Sequence, residues 1–338
     1  MTRGMMCVGI VSLLTVLAPA LCLGFSTEAL EEAGVTFEGY LEVELSYVDG
    51  EEGDASDIAL SELAVGVQYA PVEWLSAAAL FLYEDGEDGV AVDEAYADIG
   101  GSERVPVVFT VGRVYLPIGA YCSTFCSGVM CSDPLTQSLG EAQEDVLQAS
   151  YDFGRVSVAA GIANGDVDEA GDDDTINLYY AVVEGKPAEA VTVGVTYTSN
   201  LADSDTLTAL MPEEGVTEHV GGLTGYVIYE AGALYGSVEY LTAVEAFSPA
   251  DLDTDEDGSG DEPWALNLEV GYQVLSNLQL GARYGMADDL ADLPEDQYGV
   301  VVNYAVFEGA ILAFEYLHNE YAGGGDEESF LGRLAIEF

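Results

Sequence analysis

Positive charge is scarce in this chain. Its 338 residues hold 62 Asp and Glu against seven Lys and Arg, with two His, for a formal net charge of −55. The cations are Arg3, Arg104, Arg113, Arg155, Lys186, Arg283 and Arg333. So few cations cannot neutralise a run of phosphates, which excludes nucleic acid and other polyanions as partners. His219 and His318 are both expected within strands, so a Ser-His or Cys-His centre lacks its surroundings. There is no phosphate-cradling glycine loop and no dinucleotide fingerprint, and the chain reads as a non-enzyme without a resident organic cofactor. Beyond the first two dozen residues, no apolar run approaches the ~18 residues of a spanning helix. What remains is a strongly acidic surface, solvated and suited to saline surroundings where salt screens its self-repulsion.

The chain opens like an exported protein. Arg3 precedes the apolar run Val8 to Leu17, and Ala18-Pro19-Ala20 offers a small-x-small cleavage site. The expected organisation is a signal peptide over 1–24, a short N-terminal segment over 25–34, and one β-domain over 35–338. Export places the thiols in an oxidising compartment. Cys122, Cys126 and Cys131 fall in one connection, so one disulfide with one thiol left over is expected, its pairing open among the three.

The body of the sequence alternates apolar and polar residues in sixteen short segments. The spacing predicts strands at Val35 to Val48, Ile58 to Tyr69, Trp74 to Tyr83, Val90 to Ile99 and Val107 to Val114. It continues with Val146 to Phe153, Val156 to Ala163, Thr175 to Val183, Ala190 to Thr198, His219 to Glu230 and Leu234 to Val244. The last five are Trp264 to Gln273, Leu278 to Met286, Gln297 to Val306, Ala310 to Asn319 and Ser329 to Phe338. Tight turns such as Gly154-Arg155 and Ala231-Gly232 alternate with longer acidic connections such as Asp49 to Ser56 and Phe247 to Pro263. A sandwich gives no reason for that alternation, whereas a transmembrane antiparallel β-barrel with both termini on one side does. Tyrosines near strand ends and the apolar face Phe330, Gly332, Leu334, Ile336, Phe338 fit the same all-β, porin-like outer-membrane architecture.

In such a barrel the charged face must look inward, because a carboxylate toward lipid is costly. Glu38, Glu42, Glu44, Glu62, Glu94, Glu239, Glu269, Glu315 and Glu337 then line a water column with Arg113, Arg283 and Arg333. Acids outnumber arginines, and a ring of charges selects ions by sign, so cation preference is expected. An ionic network that merely braces the interior is the competing reading. The longest connection, Tyr115 to Glu144, sits where a loop can fold into the pore and is expected to constrict it. A separate acidic stretch spaces Asp253, Asp255, Asp257 and Gly258 like the start of a calcium loop, with Asp261 close behind. Position twelve is Trp264 rather than Glu, so any Ca2+ site there is weak.

Several short motifs resemble the LbtU family of siderophore porins. They are Val92-Asp93-Glu94-Ala95-Tyr96, Gly112-Arg113-Val114-Tyr115-Leu116-Pro117-Ile118-Gly119, and Ser132-Asp133-Pro134-Leu135-Thr136 with Leu139-Gly140-Glu141. Asn164-Gly165-Asp166 and Tyr197-Thr198-Ser199-Asn200-Leu201-Ala202-Asp203-Ser204 follow in order. The resemblance implies a sixteen-stranded outer-membrane barrel that takes up iron-siderophore complexes without an energy-coupled plug. It places Arg113, Asp133 and Glu141 near the constriction, with Glu94 facing them. Outer-membrane lipid, a small solute or ferric siderophore, and a homotrimeric assembly are the partners this reading carries. The alternative is a structural or adhesive outer-membrane barrel that works through its acidic loops.

Overall fold

Alternation decides which way each side chain points. In β12 (Trp264–Leu275), Ala265, Asn267, Glu269 and Gly271 are buried, while Leu266, Leu268, Val270 and Tyr272 are half-buried or exposed. Polar groups face an enclosed interior and apolar groups face outward, the inverse of a soluble protein. Period-two side chains sort this way when the two faces of a sheet meet different surroundings.

The computed structural model describes residues 30, 32–50, 53–87, 89–120, 129–171, 175–254, 257–290, 293–322 and 324–338. Sixteen antiparallel strands form one closed barrel, each beside its neighbours in sequence and β1 beside β16. They are β1 (Val35–Gly50), β2 (Gly53–Val72), β3 (Leu75–Glu84), β4 (Val90–Ser102), β5 (Val105–Tyr115), β6 (Gln143–Asp152), β7 (Val156–Ala163) and β8 (Leu178–Ala188). The ring continues with β9 (Val191–Thr198), β10 (Gly222–Ala231), β11 (Leu234–Ala243), the β12 already given, β13 (Leu278–Asp288), β14 (Asp296–Phe307), β15 (Ala310–Glu320) and β16 (Asp326–Glu337). Closure from Tyr40↔Glu337 to Asp49↔Glu328 leaves no open edge to pair with another chain. Two short helices interrupt the loops, α1 (Leu135–Gly140) and α2 (Asp205–Thr208).

Three expectations are corrected. The β1–β2 ladder runs on to Gly50↔Gly53, so Asp49, Gly50 and Gly53 to Ser56, expected in a long connection, belong to the ladder. Strand β8 starts at Leu178 rather than Thr175 and continues to Ala188, a register irregularity absorbing the turn residues. His219 lies outside the strands, because the Val220 carbonyl accepts the Leu201 N–H at 2.7 Å and diverts the chain before β10 begins. The expected export signal over 1–24 and nearly all of the 25–34 segment lie outside the described residues.

The outer surface carries aromatics at both ends of the strands. Toward the long loops, Tyr47 and Tyr316 pack on Phe330 at 6.2 and 5.0 Å between ring centroids, and Tyr240 packs on Trp264 at 5.8 Å. Toward the short turns, Tyr69, Trp74, Phe153, Tyr229, Tyr272 and Phe307 are exposed. Such paired girdles suit rings that sit at two apolar–water boundaries. The short-turn end also holds Arg104, Arg155 and Lys186, all exposed, so the cations are separated along the barrel axis.

The β4–β5 turn shows one strict backbone demand. Gly100 has φ +120°, and a Cβ there would stand 1.9 Å from the Val107 carbonyl oxygen. At Gly225 in β10 a Cβ would meet nothing within 4 Å. Gly100→Ala is therefore expected to cost about 1–3 kcal/mol, while Gly225→Ala stays within about 0.5 kcal/mol of the parent. Urea titration of the refolded barrel, read as the fraction running compact on unheated gels, checks both.

Candidate functional site

The β5–β6 loop folds into the barrel because the wall offers it hydrogen-bond acceptors. A carboxylate on an enclosed face needs donors, and a loop's backbone N–H groups need acceptors once they leave water. Glu239 of β11 accepts the Ala120 N–H at 2.6 Å and the Thr136 hydroxyl at 2.8 Å. Glu269 of β12 accepts the Val129 N–H. Glu315 of β15 accepts the Cys131 N–H at 2.5 Å and the Ser132 N–H at 3.2 Å. Arg283 of β13 bonds Glu269 at 3.0 Å and also donates to Ser132 Oγ and the Asp133 carbonyl oxygen, each at 3.0 Å. Asn303 of β14 adds a bond to the Val129 carbonyl at 2.8 Å. The close approach needs small wall residues: a Cβ at Gly271 or Gly281 would fall 2.6 or 2.4 Å from the Val129 side chain.

The loops above β6 to β13 share an apolar core. Leu116, Ile118, Leu135 and Leu139 of the β5–β6 loop pack with Val167, Leu201, Leu207, Val216, Phe247 and Leu252 from the next three long loops. Buried polar groups stitch it. Asp203 accepts the Val167 N–H at 2.8 Å and the Asn200 amide at 3.0 Å, and Asp205 N–H donates to the Glu141 carbonyl at 2.9 Å. Burial pushes the Asp203 carboxyl up to about 7 despite those two bonds. Burial likewise pushes Glu141 up to about 7; the Gln137 bond at 2.6 Å opposes the rise, and Asp133 and Asp205 add to it. Asp203 and Asp205 were not singled out from the sequence. Asp203 stands there only within the motif Tyr197 to Ser204, whose apolar-acidic mixture suits a loop with a packed side, and Asp205 lies just beyond it.

The opposite arc of the wall, β1 to β4 with β16, takes no part in this loop core among the described residues and holds a second group of charges. Arg333 of β16 bonds Glu42 at 3.0 Å and Glu44 at 2.9 Å, both on β1. Tyr40 and Ser61 also donate to Glu42. Glu84 of β3 interacts electrostatically with Asp93 of β4 and with Asp133 and Asp205 from the loop side. The structure brings Asp133, Glu141, Glu42 and Arg333 to this region, and Glu84 and Asp93 join them. It places Glu269 and Arg283 behind the loop, as its anchors. Arg113 is exposed and donates to Gln143 at 2.6 Å, Gln143 donating in turn to Asp93 at 2.9 Å. Glu94 is half-buried on β4, beside a register irregularity.

In the acidic stretch of the β11–β12 loop, Asp253 accepts the Asp257 and Gly258 N–H groups, each at 3.1 Å, and Asp257 accepts Ser259 N–H at 2.7 Å. Asp261 accepts both the N–H and the hydroxyl of Thr254, at 2.7 and 2.6 Å. These carboxylates shape their own loop. Asp255 lies outside the described residues, and among the described residues no three ligating side chains converge as a metal site requires. Cys131 is buried and free; Cys122 and Cys126 lie outside the described residues.

No family model matches the chain. It is 26% identical over 320 residues to a UPF0422 protein of Coxiella burnetii, covering 88% of this chain and 67% of that protein. A UPF0422 protein of Legionella pneumophila is 23% identical over 267 residues, covering 70% and 48%. The chain thus spans about half the length of its Legionella relative. Among solved structures, the outer membrane channel DcaP of Acinetobacter baumannii superposes with TM-score 0.62 at 14% identity, covering 90% of this chain and 97% of that one. The fold is that of outer-membrane porins. Salmonella typhi OmpF in complex with daunomycin gives 0.62 at 13% identity, covering 91% and 99%. An anion-selective porin of Comamonas acidovorans gives 0.61 at 12% identity, covering 90% and 99%.

The anchoring scheme can be checked directly. Glu315→Ala leaves the Cys131 and Ser132 N–H groups without their acceptor, at about 1–3 kcal/mol. Burial pushes the Cys131 thiol up to about 12, which keeps it unreactive near neutrality. With Cys122 and Cys126 changed to serine, Glu315→Ala is expected to accelerate maleimide labelling of Cys131 by about tenfold or more; an unchanged rate contradicts the anchoring.

The loop carboxyls give a pH dependence. Glu141 and Asp203 titrate higher when folded than their ordinary values of 4.5 and 3.8, so the folded loops hold these protons more tightly. Their contribution is full below those ordinary values and is lost as pH rises through about 7. The near-UV melting temperature is expected to fall between pH 5 and 8, and to fall less in a Glu141→Gln, Asp203→Asn variant.

Proposed function

We propose that this chain is an outer-membrane diffusion channel that prefers cations. The porin-like fold, the outward apolar faces and the two aromatic girdles support membrane insertion. The observation that carries the sign is the excess of acids along β1 to β4. Glu42, Glu44, Glu62, Glu84 and Asp93 lie on these strands, and Arg333 of β16 is held between the first two. Fixed charges of one sign around a narrow aqueous path select permeant ions by the opposite sign. The fold alone does not set this preference, since an anion-selective porin shares it. The resemblance to siderophore porins adds iron chelates to the solutes considered, and the acidic passage favours neutral or cationic chelates over anionic ones.

Planar-bilayer recordings across a KCl gradient test the proposal. A reversal potential of cation sign is expected, moving toward zero in Glu84→Gln. An anion sign contradicts the proposal. A barrel that neither conducts nor lets sugars swell liposomes supports a structural or adhesive role instead.

A further inference from the structure

Glu42, Glu62 and Glu84 are direct cross-strand partners on β1, β2 and β3. Three carboxylates therefore cross the wall at one height, about 4.8 Å apart from strand to strand. Like charges placed opposite one another weaken a sheet, so the arrangement has a cost that something must offset. At the β1 end the offset is visible, because Glu42 is bonded by Arg333, Tyr40 and Ser61. Among the described residues, Glu62 and Glu84 have no ion pair.

A second observation points to a ligand. Asp93 is 7% exposed and acts electrostatically on both Glu62 and Glu84. Its Oδ2, together with Oε1 of Glu62, is buried and accepts no hydrogen bond. Buried acceptors without donors are uncommon in folded proteins, and each calls for an explanation. Here they adjoin a row of like charge, so a donor bearing positive charge answers both needs. Exposure rises along the row, from buried Glu42 through half-buried Glu62 to exposed Glu84, so the row is accessible from its Glu84 end.

The carboxylates lie side by side instead of converging on one point, and among the described residues no metal-holding cluster forms. A compact ion is a poor match to a row. A flexible chain bearing two or more ammonium groups matches it, with nitrogens donating to Glu62 and Glu84. We propose that this carboxylate row binds linear organic polycations, solutes with two or more ammonium groups on an aliphatic chain, as they pass the channel. The proposal rests on the acid-lined channel described above and names a solute class for it.

Single-channel potassium currents at fixed ionic strength, with added 1,4-diaminobutane or 1-aminobutane, test the row. In the wild type the diamine is expected to halve the current at a concentration about tenfold lower than the monoamine. Glu62→Gln with Glu84→Gln should bring the two amines to equal potency, and Glu84→Gln alone, at the exposed end, should give an intermediate ratio. Equal potency in the wild type, or an undiminished ratio in both variants, overturns the proposal. The KCl reversal potential on the same membranes separates the two readings. Cation sign with equal amine potency removes the polycation row and leaves the channel; anion sign removes both.

Discussion

A wall carboxylate accepting a main-chain N–H is the interaction on which the interior depends. Closing sixteen strands turns their polar faces toward one another, and the acids there must find donors or stay wet. Glu239, Glu269 and Glu315 find theirs in the β5–β6 loop at Ala120, Val129, Cys131 and Ser132. The loop in turn finds acceptors it would otherwise lose on leaving solvent. Neither partner is satisfied alone, which couples loop placement to barrel closure.

This coupling makes the barrel two-sided. Along β6 to β13 the loops share an apolar core, and the wall behind them is packed like a soluble protein. Along β1 and β16, by contrast, Glu42 and Glu44 share the guanidinium of Arg333. The acids therefore divide into two kinds with the same alphabet. Glu269, bonded by Arg283 and a loop amide, is structural. Glu62 and Asp93 each keep a buried oxygen without a donor.

The period-two pattern made the barrel legible, because strands with opposite surroundings on their two faces must alternate. Inward glutamates such as Glu42 and Glu269 followed from the same parity. Their roles did not follow. Whether an inward acid anchors a loop or edges the passage depends on a partner far along the chain, as Glu269 with Val129 or Glu315 with Cys131, and no local pattern encodes that pairing. Arg283 looked equivalent to Arg333 on the strand face, yet one is buried behind the loop and the other is held by Glu42 and Glu44 of β1. The shared core of the long loops was hidden for a related reason. Acidic, glycine-containing connections read as solvated, while apolar residues such as Leu201, Val216 and Phe247 sit singly within them and find one another only in three dimensions. The long β1–β2 hairpin was hidden because Asp49 to Ser56 carries turn-type residues that nonetheless pair across the ladder.

Fixed charge along the β1–β4 arc has a thermodynamic consequence of its own. A small aqueous compartment bounded by immobile anions is a Donnan phase. Mobile cations accumulate in it until their chemical potential matches that of the bath, and protons partition with them. In the proposed channel, the acids of this arc that meet water would therefore experience a local acidity greater than that of the surrounding fluid, and dilution of the bath would widen the difference.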